Sequence, residues 1–266
     1  MSGQPMYSVH NAARLLCTFQ PGDTELGVTE LARRLGLAKS VVYRMLRTLM
    51  VERLIEQDPE TGGYRLGIKL WELGTLVSSH AELHRAATVV VDELHNRTGD
   101  SVHVAVLDGV EVVYVERREA QRTLESLGEV GHRNYAHSTA TGKVLLAFLP
   151  PIELDGRLAR AELPALTPST ITDRAWLRAE LARVREQGYA ENVQESRLEL
   201  SSVAAPIRGE GGTVVAAVSI VAASARLAGE TRRRYTAAAL HTAAEISERL
   251  GYRPGRAAGA GNGRTG

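Results

Sequence analysis

The chain has 266 residues, 44% hydrophobic and 24% charged, enough for a sizeable core and for two domains on the usual scale of about 100 to 200 residues each. A formal net charge of +1 excludes a uniformly basic nucleic-acid binder, so any electrostatic footprint on DNA must be local. One cysteine excludes an internal disulfide framework and a multi-Cys metal site; it fits a reducing compartment, and Cys17 is expected in the core.

Residues 1–5 read as a disordered start. Val9, Ala12, Ala13, Leu16 and Phe19 recur at helical spacing and predict a first helix, ended by Pro21-Gly22-Asp23. From Val28 to Met50 the chain reads VTELARRLGLAKSVVYRMLRTLM, two short amphipathic helices about a Gly-containing turn. The first buries Val28, Leu31, Ala32 and Leu35, with Glu30 at its positive end and Gly36 where a left-handed residue stops a helix. The second starts near Lys39, with Val42, Met45, Leu46 and Leu49 on one side and Ser40, Tyr43, Arg44 and Arg47 on the other.

That division is what a DNA recognition helix requires: one face for its own core, the other carrying forked donors for guanine edges or phosphates and hydroxyls for either. Val41, at the boundary, is placed to touch a thymine methyl. All but three of the 32 basic residues are Arg, so arginine alone says little. Local sign says more: residues 31–53 hold Arg33, Arg34, Lys39, Arg44, Arg47 and Arg53 against Glu52, a basic stripe.

Leu54 to Asp58 and Tyr64 to Leu66 flank the turn-rich Pro59-Glu60-Thr61-Gly62-Gly63 and predict a hairpin, completing a winged helix-turn-helix over residues 6–66. Arg65 reads either as a phosphate contact beside the Gly-rich tip or as a solvated strand residue. After Gly67, the residues Ile68, Leu70, Trp71, Leu73, Leu76 and Val77 predict a linker helix over 67–82 whose surplus apolar surface points to a partner.

Residues 83–253 read as a second domain. Its expected elements are a helix from Leu83 to Arg97, strands Ser101 to Leu107 and Glu111 to Glu116 joined through Asp108-Gly109, and helices Ala140 to Leu149 and Arg174 to Gln187. A second hairpin, Ser202 to Ile207 with Val214 to Val221, and a helix from Leu227 to Leu250 follow. Hairpins and helices without strict βαβ alternation predict an α+β fold on an antiparallel sheet. Residues 254–266 are Gly/Ala-rich and read as disordered. No run approaches the roughly 18 apolar residues that cross a bilayer, and the start lacks a basic region followed by an apolar stretch, so a cytoplasmic protein without a membrane partner is expected.

Four blocks in order, VTELARRLGLAKSVVYRMLRTL, GGYRLGIKLWELG, HSTATGKVLLAFL and GYAENVQESRLELSSVAAPI with GGTVVAAVSI, resemble the IclR family of bacterial transcription regulators from about Tyr7 to Tyr252. The resemblance implies a winged helix that binds operator DNA, joined by a helix to a GAF-like effector domain. It also implies dimers that often pair into tetramers, and ligand control of transcription; no cofactor and no enzymatic activity are expected, with repression the favoured sense.

It further implies a small-molecule pocket. The block from His137 to Lys143 enters a helix whose unpaired first amides suit a carboxylate, with Gly142 at the pocket wall and Ala140 and Thr141 beside it. Asn192, Leu200 and Ser202, then Ser219 and Val221 on the last strand, stand across from it; the last two share a face by strand alternation. Members often carry an acidic residue, Cys and Ser where this chain has Asn192, Ser202 and Val221. Exchanging a hydroxyl for Val221 points to an organic acid with an apolar part.

Other chemistry is weaker. His80 and His84 share a helix face as metal ligands do, but without a third ligand nearby they read as exposed linker histidines, and no metal is expected. His137-Ser138 invites a nucleophile reading, yet no Gly-x-Ser-x-Gly elbow is present, so a hydrolase ranks below a regulator. A ligand-independent architectural DNA-binding protein is the other alternative, set back by the small excess of basic charge in the second domain.

Overall fold

A computed structural model describes residues 6–20, 22–76, 78–120 and 131–254. The expectations for residues 1–5, Pro21, Val77 and 255–266 fall outside the described residues. The chain divides into two compact units, Met1–Ala81 and Glu82–Gly266.

In the first unit α1 (Tyr7–Leu16), α2 (Val28–Leu35) and α3 (Lys39–Val51) precede an antiparallel pair, β1 (Ile55–Gln57) and β2 (Tyr64–Leu66), and then α4 (Ile68–Thr75). Gly36 ends α2 at φ 68°, a left-handed position that costs glycine little, and its amide reaches back to carbonyls of the last turn. The core is Leu15, Leu31, Leu35, Val42, Leu46, Leu49, Ile55 and Tyr64, with Val28 and Met45 half-buried at its edge. Each of its fully buried aliphatic side chains contributes about 1.5–3 kcal/mol.

Two expectations fail on α1. The helix turns Asn11 and Leu15 inward, leaving Val9 at 61% exposure, and Cys17, at the helix end beyond that face, is exposed rather than core. The expected single linker helix is also interrupted. α4 closes at Leu76, whose amide bonds to the carbonyl of Leu73, and α5 (Ser78–Thr98) begins at a Ser pair, residues better suited to starting a helix than to continuing one.

The second unit holds the body of α5, followed by β3 (Ser101–Asp108), β4 (Glu111–Arg118), β5 (Arg133–Tyr135), α6 (Ala140–Ala147), α7 (Pro151–Arg160), α8 (Arg174–Gln187), β6 (Ala190–Val193), β7 (Leu200–Arg208), β8 (Val214–Ala223) and α9 (Gly229–Arg249). Its six strands form one antiparallel sheet in the order β5-β4-β3-β8-β7-β6. One face packs Val102, Val104, Val203, Val218 and Ile220 against α5 and α9; the other packs Ala105, Tyr114, Ala204 and Ala217 against α6 and α8. β5 and β6, three and four residues long, are too short to show a period of two, and α7 starts on a proline at its first turn, which suits a helix start but reads equally as a breaker.

Candidate functional site

On α3 the sequence division holds. Val42, Leu46 and Leu49 are buried, while Lys39, Ser40, Val41, Tyr43, Arg44 and Arg47 are all exposed, Tyr43 at 48%. The basic stripe splits in two. Arg33 is forked onto Glu30, and Arg34 lies between Glu30 and Asp23, at 2.8 and 2.6 Å. These bonds hold the Glu30 carboxyl down at about 2, first through Arg33 and then through Arg34. Among the described residues, by contrast, Arg44 and Arg47 meet no acidic side chain. An unpaired guanidinium on a recognition helix is free for a phosphate or a guanine edge, whereas a paired one must first give up its carboxylate. Arg65 belongs to the paired class, 3.2 Å from Glu56 across the hairpin.

In the second unit a cavity of about 70 Å³, room for several waters, opens on the α6 face of the sheet. Strand register builds its floor: His103 of β3 pairs with Ser219 on one side and Arg117 on the other, and Ser202 of β7 pairs with Asn192 and Val221. Thr141, Asn192, Leu200, Ser202, Ser219 and Val221, six of the eight expected residues, line it. Ala140 and Gly142 do not. Ala140 is fully buried in the hydrophobic core, and a Cβ on Gly142 would lie 2.2 Å from the carbonyl oxygen of Ala136. Gly142 is therefore a close-packing residue that lets α6 lie on the turn before it. Gly142→Ala is expected to cost at least the ~1–3 kcal/mol usual for overpacking, because backbone on both sides must move. An unchanged denaturation midpoint would refute this role.

The first-turn amides of α6 are also less open than expected, since the Thr139 hydroxyl accepts from the Gly142 amide at 3.1 Å and caps the helix. Asn192 is engaged within its own loop, accepting from the Glu195 amide and donating to Ser196.

The lining residues that sequence reasoning missed are mainly polar and cationic: His103, Arg117, His132, Asn134 and Arg197, with Tyr114. The apolar contribution is small, Leu200, Val221 and the Tyr114 ring, so the wall is wetter than the Val221 departure implied. Arg117 is buried, its Nε and Nη2 donating to Glu119 at 2.9 and 2.6 Å, with Tyr114 under the guanidinium, ring centroid to Cζ 4.8 Å. Glu119 also accepts from Ser101 and faces His103 Nε2. Burial alone would raise the Glu119 carboxyl; the His103 and Arg117 contacts outweigh it and hold the group at about 2.

Burial pushes three histidines of this unit, His103, His132 and His137, below the ordinary imidazole value of 6.5. Each is neutral in the folded state where the unfolded chain binds a proton. Their contribution is thus fully present above about pH 6.5 and is lost as pH falls below it toward the folded values. The melting temperature of this unit is expected to drop between about pH 7.5 and 5.5, with a smaller drop in His103→Gln; equal melting at both would contradict it.

The remaining candidates separate. His137 Nε2 bonds to the carbonyl of Pro164 and Ser138 Oγ to that of Tyr135, so no hydrogen bond joins them as base and nucleophile. His84 Nδ1 meets Glu116 of β4, while the His80 side chain lies outside the described residues. No group of three metal-ligating side chains occurs among the described residues, and no helix there is long and apolar enough to cross a membrane.

Comparison with known proteins accounts for both units. Residues 8–59 match the IclR helix-turn-helix domain, and residues 75–248 match the bacterial transcriptional regulator IclR C-terminal domain. The chain is 35% identical over 245 residues to the HTH-type transcriptional regulator XynR of Escherichia coli, covering 92% of this chain and 97% of that one. It is 36% identical over 231 residues to KdgR of Dickeya chrysanthemi, covering 86% and 75%. Among solved structures it resembles the Thermotoga maritima IclR at TM-score 0.73 and 30% identity, covering 92% of this chain and 99% of that one. It also resembles an IclR homolog from Microbacterium hydrocarbonoxydans complexed with 4-hydroxybenzoate at TM-score 0.82 and 27% identity, covering 91% and 98%. With both domains matched in order, an exposed basic face on α3 of the first unit and a polar cavity in the second, the chain belongs to the IclR family of bacterial transcription regulators.

Proposed function

We propose that this regulator reads its operator with Lys39, Ser40, Val41, Tyr43, Arg44 and Arg47 of α3, assisted at the wing by Arg65, and that a small carboxylate in the cavity of the second unit controls that binding as a repressor. The observation that carries the DNA half is the contrast within one basic stripe: Arg33 and Arg34 are locked in ion pairs, while Arg44 and Arg47 are exposed without acidic partners. The carboxylate class rests on the cationic lining, and the Microbacterium relative's ligand, 4-hydroxybenzoate, is a compact acid of this kind. The polar wall favours an acid bearing further hydroxyl or keto groups, with Tyr114, Leu200 and Val221 accommodating only a short apolar part.

The active species is a dimer or a pair of dimers, with recognition helices about 34–36 Å apart or a multiple of that spacing. Ile68, Trp71, Leu73 and Leu76 on and after α4 are all exposed in the single chain, Trp71 at 69% and Leu76 at 75%, and are offered as part of the subunit contact. Effector and operator must then oppose each other by the same factor in both directions. Footprinting of the neighbouring promoter region, with and without the metabolites of adjacent genes, tests the scheme. Protection of a two-fold site that one acid abolishes is expected; protection insensitive to every acid and neutral compound tried would overturn effector control.

A further inference from the structure

The cavity contains a cation whose hydrogen-bonding capacity is unevenly used. Arg117 is 92% buried, and Glu119 takes its Nε and Nη2, yet Nη1 is buried with no hydrogen-bond partner among the described residues. Buried guanidinium donors rarely stay unmet, because the desolvation of a charged group is not returned. A strand irregularity explains how Arg117 comes to face this space. β4 pairs with β3 in register until a shift between Val104 and Ala105, so that Tyr114 opposes Ala105 but Glu116 opposes Val104, with one extra residue on β4. The bulge puts Tyr114 and Arg117, three apart, on one face, and sends Glu116 and Arg118 to the side of α5, where they meet His84 and Asp92.

We infer that Arg117 is the anion anchor of the effector cavity, with Nη1 donating to an oxygen of the ligand's carboxylate, and that Glu119 is a resident counter-charge that sets how strongly the cavity attracts anions. This rests on the carboxylate-effector reading above. Glu119 does two opposing things. By holding Nε and Nη2 it fixes the plane of the guanidinium, which lowers the ordering cost of binding. By placing a full negative charge beside the same cation, it weakens the field that an incoming carboxylate meets. The cavity is thereby tuned to release its ligand, as a sensor must when the metabolite is withdrawn. His103, 3.5 Å from Nη2, and Ser219, paired with it across the strands, lie in the same row and extend the polar floor toward the remainder of the ligand.

The test is calorimetric titration of the full-length protein with glycolate, D-gluconate and 4-hydroxybenzoate, each beside its primary amide. Wild type is expected to bind at least one acid and to reject its amide. Arg117→Gln should weaken that acid by about 10- to 100-fold, as loss of a charge-assisted contact does. Glu119→Gln keeps an oxygen for Arg117 to donate to but removes the charge, so affinity for the acid should rise several-fold and affinity for the amide should not. If Arg117→Gln fails to fold, the Glu119→Gln result decides alone. Acid binding that is unchanged in Arg117→Gln, or that falls in Glu119→Gln together with the amide, overturns the anchor while leaving carboxylate control standing. DNA release by neutral compounds only would instead overturn the carboxylate reading itself.

Discussion

Replacing Arg44 and Arg47 together by Ala is expected to lower operator affinity by about 2–6 kcal/mol, from about 1–3 kcal/mol for each contact that is bidentate to a base. Both side chains are exposed and neither meets an acidic group among the described residues, so the change leaves the fold of the first unit alone. Salt dependence separates the two kinds of contact. An arginine on a phosphate contributes about 0.9 to the slope of log affinity against log salt, and its removal lowers affinity on every sequence alike; an arginine on a guanine edge relaxes preference at one position. Arg33→Ala is the matched control. It removes the same charge from the same stripe, but that charge is already joined to Glu30 at 2.6 Å, so a much smaller effect is expected. Fluorescence anisotropy on the footprinted operator and on a scrambled duplex, over a salt series, makes the comparison. A loss from Arg33→Ala half as large as that of the double variant, one charge against two, would mean that net charge, not position, drives binding, and unchanged binding by the double variant would remove α3 from the interface.

What could be read in the sequence follows the range of the interactions that fix each feature. The helix-turn-helix was legible because its determinants are local: a period of 3.6, a glycine at φ 68° closing α2, and a face of Leu, Val and Met against one of Arg and Tyr. The α8 boundaries were equally clear, with Asp173 accepting from the Trp176 amide at the start and Gly188 left-handed at the end. Partnership was not legible. Arg33 and Arg34 count toward the basic stripe in a window that begins after Glu30 and Asp23, and those two carboxylates neutralise them. Arg117 was missed for a different reason. Strict alternation from Val112 and Tyr114 puts Glu116 in the cavity and Arg117 on the opposite face, and only the bulge, set by pairing between β3 and β4, reverses this. Gly142 was placed at the pocket wall by resemblance, whereas its contact is with the Ala136 backbone on the far side of its helix turn. Thr141, Asn192, Leu200, Ser202, Ser219 and Val221 come together on one cavity, as expected, because a resemblance supplied the long-range pairing that alternation alone cannot.

Lys143→Met is expected to produce the largest loss of stability in the second unit, about 3–5 kcal/mol, as breaking one side of a buried ion pair does. The Lys143 side chain is 2% exposed, and its ammonium lies 2.7 Å from Glu195 and 3.3 Å from Glu180. That tie joins α6 to α8 and to the loop after β6, whose residues Ser196 and Arg197 cover one side of the cavity. Glu180 keeps a second cation, Arg183 at 2.9 Å, but among the described residues Glu195 pairs with Lys143 alone, and its Oε2 is buried there without a partner. Burial pushes the Glu195 carboxyl above the ordinary 4.5, and Lys143 opposes that rise. Without Lys143 the carboxyl rises further. The folded protein then takes up a proton that the unfolded chain releases above about 4.5, so stability is greatest at low pH and falls as pH climbs through the folded value. The deficit of Lys143→Met should therefore be larger near pH 8 than near pH 5, the reverse of the trend set by the three buried histidines. Adding Glu195→Leu removes the stranded charge and should recover most of the loss, since a buried pair replaced by apolar groups of similar size is often neutral. Chemical denaturation of the three proteins at both pH values decides the matter: a loss independent of pH, or one that Glu195→Leu deepens, would mean that the stranded Glu195 charge is not the source of the loss.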